Sequence, residues 1–359
     1  MIHLGNGAHG APKVDALRAA LREQAADIAR IIKKHNGGSV AIGAFVGSVE
    51  VAGSAGPEIQ RIFHEELRQA NVVIDIKNHR FEISGRYQPI KDTSMELQVI
   101  KLSVWLIEKA TSEPLVERPT SFVLPNDANV AAMQGAIISG PPLASPVEMS
   151  AAIEVAKTEP QFKIQDSELW GKTGNYAVQV IVKENGRYVP RPVTVMEDGP
   201  LNKRPAVDLQ AGDIFGVRLI NKSNIEAAVE LRIDGVNSFA FSKLKATHWI
   251  VPPRSHVDIR GWQQDDEKSI EFKVVTEFPD TAAAKLKLIP SDTVGLITAA
   301  FSAAWKDQDP PPEDEGIVSR GTGFGREIAF NVKAVGRNIG KMRDLLSLRY
   351  EKVKAKRDG

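Results

Sequence analysis

The alternation of apolar and polar positions between Phe215 and Trp262 predicts β-structure. Apolar residues recur at every second position in successive short runs, as in a strand with one buried face: Phe215, Val217 and Leu219; Val229, Leu231 and Ile233; Val257 and Ile259. Asn221-Lys222-Ser223-Asn224 and Asp234-Gly235 have the composition of chain reversals, and Pro252-Pro253 marks the end or edge of a strand. We expect an antiparallel meander.

The N-terminal part of the chain has helical as well as strand periodicity. Residues 14–36 carry an apolar stripe at helical spacing, and a second stripe over residues 57–71 begins with Pro57, which suits a first helical turn. Strands are predicted between and after these helices, at residues 39–45, 72–76, 81–87 and 97–107. A mixed sheet covered by helices would bury all of these apolar faces.

The middle of the chain is rich in residues that interrupt regular structure. Residues 119–125 are predicted to form a connector, residues 127–136 a short helix, and residues 140–146 combine proline, glycine and serine. Pro146 begins another predicted helix, which ends near Lys157. We therefore place a domain boundary between residues 140 and 174.

Beyond this boundary, short strands replace long helices. Residues 176–182 alternate cleanly and lead into the hairpin turn Glu184-Asn185-Gly186. Residues 294–305 are compatible with helix or strand, and we favour strand because glycine and β-branched positions weaken a helix. Further strands are predicted at residues 188–195, 270–275, 284–288 and 345–350. Short strands separated by proline-rich turns are typical of a β-sandwich.

The predicted fold class is an α+β N-terminal domain, with a mixed sheet covered by helices, followed by an all-β sandwich domain. The predicted boundaries are an unstructured leader at residues 1–13, the α/β domain at 14–140, a linker with a short helix at 141–174, the β-sandwich at 175–352 and a basic tail at 353–359. Because the leader offers little apolar surface to bury, its removal is expected to leave stability nearly unchanged.

The composition is that of an ordinary globular protein. Of 359 residues, 42% are hydrophobic and 25% are charged, and the formal net charge is +1. This balance gives no general attraction to nucleic acid or anionic membranes, and the basic residues 349–357 are predicted to be a solvated end. The absence of cysteine excludes disulfides and cysteine-based metal sites. The sequence has no run of about 18 apolar residues and no signal-peptide core near its start.

Glycine-rich segments at two places have a superficial likeness to phosphate-binding loops. Residues 47–56 precede a predicted helix, whose N-terminus would attract an anion. They lack both the Gly-Lys-Ser/Thr of a P-loop and the glycine spacing of a dinucleotide-binding turn. Gly321-Thr322-Gly323-Phe324-Gly325 precedes no helical stripe. Both segments are predicted to be plain loops.

The histidine-containing segments do not complete a metal site. His64-Glu65-Glu66-Leu67-Arg68 begins like a metalloprotease helix, but Arg68 stands where the second histidine is required, so a solvated helix face is predicted. His248 and His256 flank Pro252-Pro253 and would meet if a hairpin formed there, but the sequence offers no third ligand. Because it also lacks a nucleophile elbow and a tuned pair of carboxylates, we predict no metal, no cofactor and no enzymatic activity.

Large apolar residues are concentrated between Gly235 and Pro252, where they alternate with serines and lysines. One interpretation is that they close the open end of the sandwich, because aromatic residues in a loop most often cover their own core. The other is that they face outward and anchor a partner. The candidate partner-binding residues are Phe239, Phe241, Leu244, Trp249 and Trp262.

Motifs in both halves resemble those of known bacterial proteins. SVAIGAF, GSAGPEIQRIFHEEL, VVIDI and FEISGRYQP are similar to the small α/β domain of the penicillin-binding-protein activator lipoproteins and of the curli-secretion channel family. LRIDGVNSFAFS, IVPPRSHVDIRGW, GTGFGRE and LLSLRY resemble uncharacterised planctomycete-type two-domain proteins, whose N-terminal domain the first group also resembles. The resemblance implies two domains without a catalytic signature. The lipobox cysteine of the activators is absent, so membrane anchoring is not implied.

Together, these observations predict a non-enzymatic protein-interaction or assembly protein of the bacterial envelope. The resemblance implies the periplasm or the cell surface, and the expected partner is another protein or a second copy of the chain. A glycan-binding module that uses Trp249 and Trp262 is the first alternative. A hydrolase whose site is assembled from distant loops is the second.

Overall fold

The computed structural model describes residues 2–6, 16–47, 56–92, 97–116, 122–124, 135–142, 146–196, 203–244, 246–275, 280–285, 295–306, 310–314 and 332–350. The described part of the chain is mostly β, with 51% of its residues in strands and 16% in helices. Several predictions lie outside the described residues: the loop after residue 47, nearly all of the helix at 127–136, the glycines at 321–325 and the basic tail.

The helices are α1 (Ala16–Lys34), α2 (Gly56–Gln69), α3 (Pro146–Thr158) and α4 (Ala282–Lys285), and a 3-10 turn spans Pro312–Asp314. The first strands are β1 (Ile2–Asn6), β2 (Val40–Gly47), β3 (Phe81–Asp92), β4 (Leu97–Glu108), β5 (Glu113–Val116), β6 (Phe122–Leu124), β7 (Ile138–Ser139), β8 (Phe162–Gln165), β9 (Glu168–Gly171), β10 (Tyr176–Glu184), β11 (Arg187–Pro190) and β12 (Val193–Met196). The others are β13 (Arg204–Val207), β14 (Ile214–Asn221), β15 (Glu226–Ile233), β16 (Val236–Asn237), β17 (His248–Val251), β18 (Ser255–Ile259), β19 (Gly261–Gln263), β20 (Ser269–Lys273), β21 (Leu296–Trp305), β22 (Val332–Gly336) and β23 (Asn338–Tyr350).

The five-stranded sheet has the strand order β2-β3-β4-β5, with β6 also paired to β4. β2 runs parallel to β3, whereas β4 is antiparallel to its neighbours. α1 and α2 bury their predicted apolar stripes against this sheet in one cluster: Leu21, Ile28, Ile32, Ile59, Ile62, Phe63 and Leu67 from the helices, and Phe45, Phe81 and Ile83 from the strands. The helical periodicity of this region is therefore confirmed.

Residues 72–76 were predicted to be a strand, but they form only the isolated bridge between Val40 and Ile74. The carboxylate of Asp75 accepts hydrogen bonds from the backbone N–H groups of Lys77 and Asn78 at 2.9 and 3.0 Å. These bonds turn the chain away from the sheet after one bridge.

The other two sheets bury their apolar faces in a shared core. The ten-stranded sheet has the order β12-β13-β23-β21-β15-β17-β1-β22, with β16 on β15 and β7 on β23. The eight-stranded sheet has the order β19-β20-β14-β10-β9-β8, with β11 on β10 and β18 on β14. One hydrophobic cluster takes alternate residues from both sheets, including Val178, Val180, Val217 and Leu219 from the eight-stranded sheet and Val229, Leu231, Phe301 and Leu346 from the ten-stranded sheet.

The predicted meander between Phe215 and Trp262 is wrong. β14 pairs with β10, β18 and β20 in the eight-stranded sheet, whereas β15 pairs with β16, β17 and β21 in the ten-stranded sheet. The chain therefore crosses between the sheets after β14 and returns after β17. The turn composition at residues 221–224 and 252–253 does mark chain reversals, but each leads to the opposite sheet.

Asn221 joins the two crossings. Its side chain is fully buried, and Nδ2 lies 2.8 Å from the carbonyl oxygen of Ile225, 3.0 Å from that of Val251 and 3.1 Å from that of Pro252. Its Oδ1 accepts hydrogen bonds from the backbone N–H and the hydroxyl of Ser223 at 2.9 and 2.7 Å. One amide thus satisfies backbone groups that leave both sheets, where strand pairing cannot reach them.

Strands from the predicted leader and N-terminal domain join the ten-stranded sheet. Residues 2–6 form β1 between β17 and β22, so this part of the predicted leader is ordered by backbone pairing. β7 pairs with β23, and β8 and β9, within the predicted linker, belong to the eight-stranded sheet. The predicted arrangement of an α+β domain followed by a separate sandwich is therefore not confirmed.

Several local predictions can be compared directly with the structure. The hairpin at Asn185-Gly186, the helix from Pro146, the strand interpretation of residues 294–305 and the last strand are confirmed. The predicted strand at 284–288 is wrong for residues 284–285, which belong to α4, an alanine-rich segment with high helix propensity. The predicted connector at 119–125 contains the short strand β6.

Replacing Asn221 by alanine should destabilise the fold by about 2 to 4 kcal/mol, because each buried polar group left without a partner costs about 1 to 3 kcal/mol. Asn224→Ala is the matched control, since Asn224 is exposed and its Oδ1 accepts hydrogen bonds only from Arg254 in the described chain. Its effect should stay within about 0.5 kcal/mol. Urea unfolding of both variants measures the difference, and equal stabilities would contradict the role assigned to Asn221.

Candidate functional site

The five predicted partner-binding residues all pack against the core shared by the ten- and eight-stranded sheets. Phe239, Trp249 and Trp262 are buried, with exposed fractions of 5%, 2% and 9%. Phe241 and Leu244 are half-buried and contact the same core. The structure brings all five together, but with their apolar surface directed inward.

Ring contacts explain this arrangement. The rings of Phe239 and Trp249 lie 4.5 Å apart between centroids, and Nε1 of Trp249 donates a hydrogen bond to the hydroxyl of Ser238 at 2.9 Å. Phe241 packs edge-on against Trp262 at 5.4 Å. The geometry favours the interpretation that these residues close the core. The glycan alternative requires an exposed aromatic ring, and both Trp249 and Trp262 are buried.

The two histidines that flank Pro252-Pro253 lie in different sheets. His248 is in β17 of the ten-stranded sheet and His256 is in β18 of the eight-stranded sheet, so the hairpin that would bring them together does not form. Burial lowers the pKa of His248. Among the residues that the structure describes, no group of three or more histidine, cysteine, aspartate or glutamate side chains could hold a metal ion.

Helix α2 differs from the predicted solvated face. Glu66 is 3% exposed, and its Oε2 accepts a hydrogen bond from Nε of Arg22 in α1 at 3.0 Å. His64 and Glu65 are half-buried. Glu66 therefore contributes to the contact between the two helices.

A buried polar cluster that the sequence analysis missed lies where β7, β9 and β23 meet. Asp344 is 1% exposed, and Ser139 is its direct partner across β7 and β23. A Cβ atom at Gly171 would lie 2.1 Å from Oδ2 of Asp344 and 2.7 Å from Oγ of Ser139, so only glycine fits at this position in β9. The carboxylate is thus enclosed by backbone on the side of β9.

Burial raises the pKa of Asp344 to about 7. Ser139, Gly140 and Thr173 are polar neighbours that offset part of this effect. Nevertheless, within the described residues neither carboxylate oxygen makes a hydrogen bond of ordinary geometry. A carboxyl group with such a pKa could exchange a proton near neutral pH, but its burial keeps a substrate from contacting it.

A second acid beside this cluster is paired. Asp314 is fully buried at the end of the 3-10 turn, where Oδ2 accepts a hydrogen bond from Arg343 at 2.6 Å and Oδ1 accepts one from the backbone N–H of Lys341 at 2.7 Å. Tyr176 lies close enough for the charges of Arg343, Asp344 and Asp314 to act on it, and burial raises its pKa. The cluster therefore combines the Arg343–Asp314 ion pair with a second buried carboxyl group, that of Asp344, for which the described residues provide no salt bridge.

The outer face of the eight-stranded sheet carries a row of paired polar side chains. Gln179, Arg218 and Asp258 lie directly opposite one another on β10, β14 and β18. Nε and NH2 of Arg218 donate to the carboxylate of Asp258 at 2.6 and 3.1 Å, and NH1 donates to Oε1 of Gln179 at 3.1 Å. Burial opposes the charge of Asp258, but pairing lowers its pKa overall. This network stabilises the face and provides no unpaired catalytic group.

The least covered apolar residues of these two sheets include a pair on consecutive edge strands. We call residues 187–196 the edge segment: it contains β11, which pairs with β10, and β12, which pairs with β13. Val189 is 40% exposed and Val195 is 43% exposed. In the described part of the chain, the outer sides of both strands have no further strand partner.

The signals for these features were present in the sequence. Asp344 occupies the same alternating face of β23 as Leu346 and Leu348, and a lone acid among buried positions indicates an unusual environment. Its partners come from residues 139, 171 and 173, which no local pattern connects to it. The edge segment is marked by Pro190 and Pro192, because proline is confined to edge positions of sheets.

Comparison with known proteins gives no match: no protein-family model, no curated protein and no solved structure is similar to the chain. The resemblance to activator lipoproteins, curli-secretion channels and planctomycete-type proteins therefore rests on the sequence motifs alone. None of the helices in the described residues is long and apolar enough to cross a membrane.

Trp249→Ala should destabilise the protein by about 3 to 5 kcal/mol, because it removes a fully packed aromatic side chain. Phe241→Ala, at a half-buried position in the same loop region, should cost less, about 1 to 2 kcal/mol. Chemical unfolding of the two variants provides the comparison. If Trp249→Ala left stability unchanged and abolished binding to a partner, the outward-facing interpretation would be correct instead.

Proposed function

We propose that the protein is a non-enzymatic interaction or assembly protein of the bacterial cell envelope. In this proposal the helix-covered sheet corresponds to the predicted α/β domain, and the ten- and eight-stranded sheets correspond to the predicted β-sandwich. Each provides surfaces for another protein or for a second copy of the chain. The envelope assignment is supported only by the motif resemblance to activator lipoproteins and secretion channels.

The observation that carries the interaction proposal is the edge segment. A strand at the edge of a sheet presents unpaired backbone N–H and C=O groups, to which an extended segment of another protein can add. β12 itself, with the sequence VTVM, contains no charged residue and no proline that would oppose such pairing. Exposed Val195 provides an apolar contact in the middle of this edge.

The ends of the edge segment limit how far pairing can extend. Pro190 and Pro192 lack the backbone N–H group that a continuous ladder needs. Between them, Arg191 forms ion pairs with Glu184 at 3.0 Å and Asp213 at 4.0 Å, which hold the chain at this crossing. A short, bounded edge favours a defined partner strand over uncontrolled sheet-to-sheet aggregation.

A photo-reactive amino acid at position 195 should form a crosslink to a partner protein or to a second copy of the chain in cells. Position 73 is the matched control, since Val73 is 64% exposed but lies outside all of the sheets. Val195→Lys, tested separately by co-purification with the partner that the crosslink identifies, should lose the complex without lowering the melting temperature, because the position is exposed. Crosslinks from position 73 but none from position 195 would contradict the proposed surface.

Cell fractionation tests the location separately. We expect the natural protein to be found in the periplasmic or surface fraction, as the motif resemblance implies. A protein confined to the cytosol would refute the envelope assignment, whereas the edge-strand interaction would still be decided by crosslinking.

A further inference from the structure

We propose that Asp344 is a pH-sensitive clasp, which holds residues 136–140 on β23 when its carboxyl group is protonated and loosens them when it is ionised. This inference does not depend on the proposed function. It concerns the short segment through which the chain passes from the five-stranded sheet towards α3.

The clasp is formed by three segments that meet at one side chain. Asp344 is opposite Ser139 of β7 on one side and opposite Phe301 of β21 on the other. From the third direction, β9 approaches so closely that Gly171 has no room for a Cβ atom. Any change in the volume or charge of this carboxyl group therefore acts directly on β7 and β9.

The segment held by the clasp makes few hydrogen bonds in the described structure, and its apolar side chains are packed in two clusters: Ala136 and Ile138 with Met149 and Ile153 of α3, and Ile137 in the core shared by the two larger sheets. β7 contains 2 residues and pairs with β23 alone. The hydroxyl of Ser347 donates a hydrogen bond to the carbonyl oxygen of Ala136 at 2.8 Å, and the backbone N–H of Thr173 donates one to Oγ of Ser139 at 3.2 Å. Because β7 is short and makes few hydrogen bonds, it should be the first strand to respond to a charge on Asp344.

Among the residues that the structure describes, no neighbouring cation neutralises this charge. Arg343 in β23 forms its ion pair with Asp314 of the 3-10 turn, and Asp314 is itself acidic. Tyr176 of β10 donates its hydroxyl hydrogen to Ser223 at 3.4 Å. Lys172, in the turn after β9, is exposed, and its Nζ lies 4.0 Å from Oε2 of Glu159, so its ion-pair partner is Glu159. An ionised Asp344 would therefore be a buried charge without a salt bridge, which is costly unless water gains access.

The direction of the pH effect follows from the titration. Burial raises the pKa of Asp344 from 3.8 to about 7. The closed form thus keeps a proton that the opened or unfolded form releases, so closure is favoured at low pH and weakens as the pH rises from about 4 to about 7. Between about pH 4 and pH 7, the ratio of the open to the closed form rises by up to about tenfold per pH unit. Above about pH 7 this ratio is constant.

Hydrogen exchange measured by mass spectrometry on the native protein tests the proposal. After correction for the intrinsic pH dependence of exchange, protection of residues 136–140 should fall by about tenfold between pH 6 and pH 8. Asp344→Asn, which cannot ionise, should keep its protection across this range. Asp258→Asn is the matched control, because that carboxylate has a lowered pKa and lies on the outer face of the eight-stranded sheet. It should behave like the natural protein.

If Asp344→Asn folds poorly, titration of Asp344 in the natural protein still tests the proposal. The carboxyl carbon signal of Asp344, followed by NMR in the natural protein, should titrate near pH 7 and not near pH 4. A midpoint below about 5 would overturn the proposal, since model carboxyl groups titrate near 4. Equal pH-dependent loss of protection in the natural protein and in Asp344→Asn would overturn it as well.

Discussion

The buried amide of Asn221 is the interaction on which the arrangement of the two larger sheets depends. It satisfies the carbonyl groups of Ile225, Val251 and Pro252 at the points where the chain leaves one sheet for the other. The contact to the Val251 carbonyl is buried and the other two are partly buried, so Asn221 satisfies backbone groups that water reaches poorly. The backbone N–H of Arg254 also donates to the carbonyl oxygen of Ser223 at 3.2 Å, which ties the two connections to each other.

The position of the crossings determines where apolar and polar surface can lie. Because β14 with β18 and β15 with β17 face each other across one core, the aromatic residues around Trp249 and Trp262 fill its end and are not available to a ligand. The outer face of the eight-stranded sheet is left to paired polar groups such as Arg218 and Asp258. Accessible backbone remains at the edges, where the edge segment links both sheets.

Local structure could be predicted from the sequence because period and turn composition are local signals. The hairpin at Asn185-Gly186 needs positive φ at both residues, and the sequence supplies the two residue types that adopt it most readily. Strand partners could not be predicted, since alternation shows that a face is buried but not what covers it. Asn221 and Asp344 continue the apolar faces of β14 and β23, respectively, so the alternation of the sequence was enough to predict their burial. Their partners could not be predicted, because they come from distant segments of the chain.

We expect the crossings to make the ten- and eight-stranded sheets one cooperative unit. Native-state hydrogen exchange at increasing denaturant concentration tests it most directly, because it resolves the free energy at which each strand opens. In one cooperative unit, the amides of β14, β15, β17 and β18 converge on a single opening free energy. If β14 and β18 opened at a distinctly lower free energy than β15 and β17, the two sheets would be separate units that the crossings do not couple.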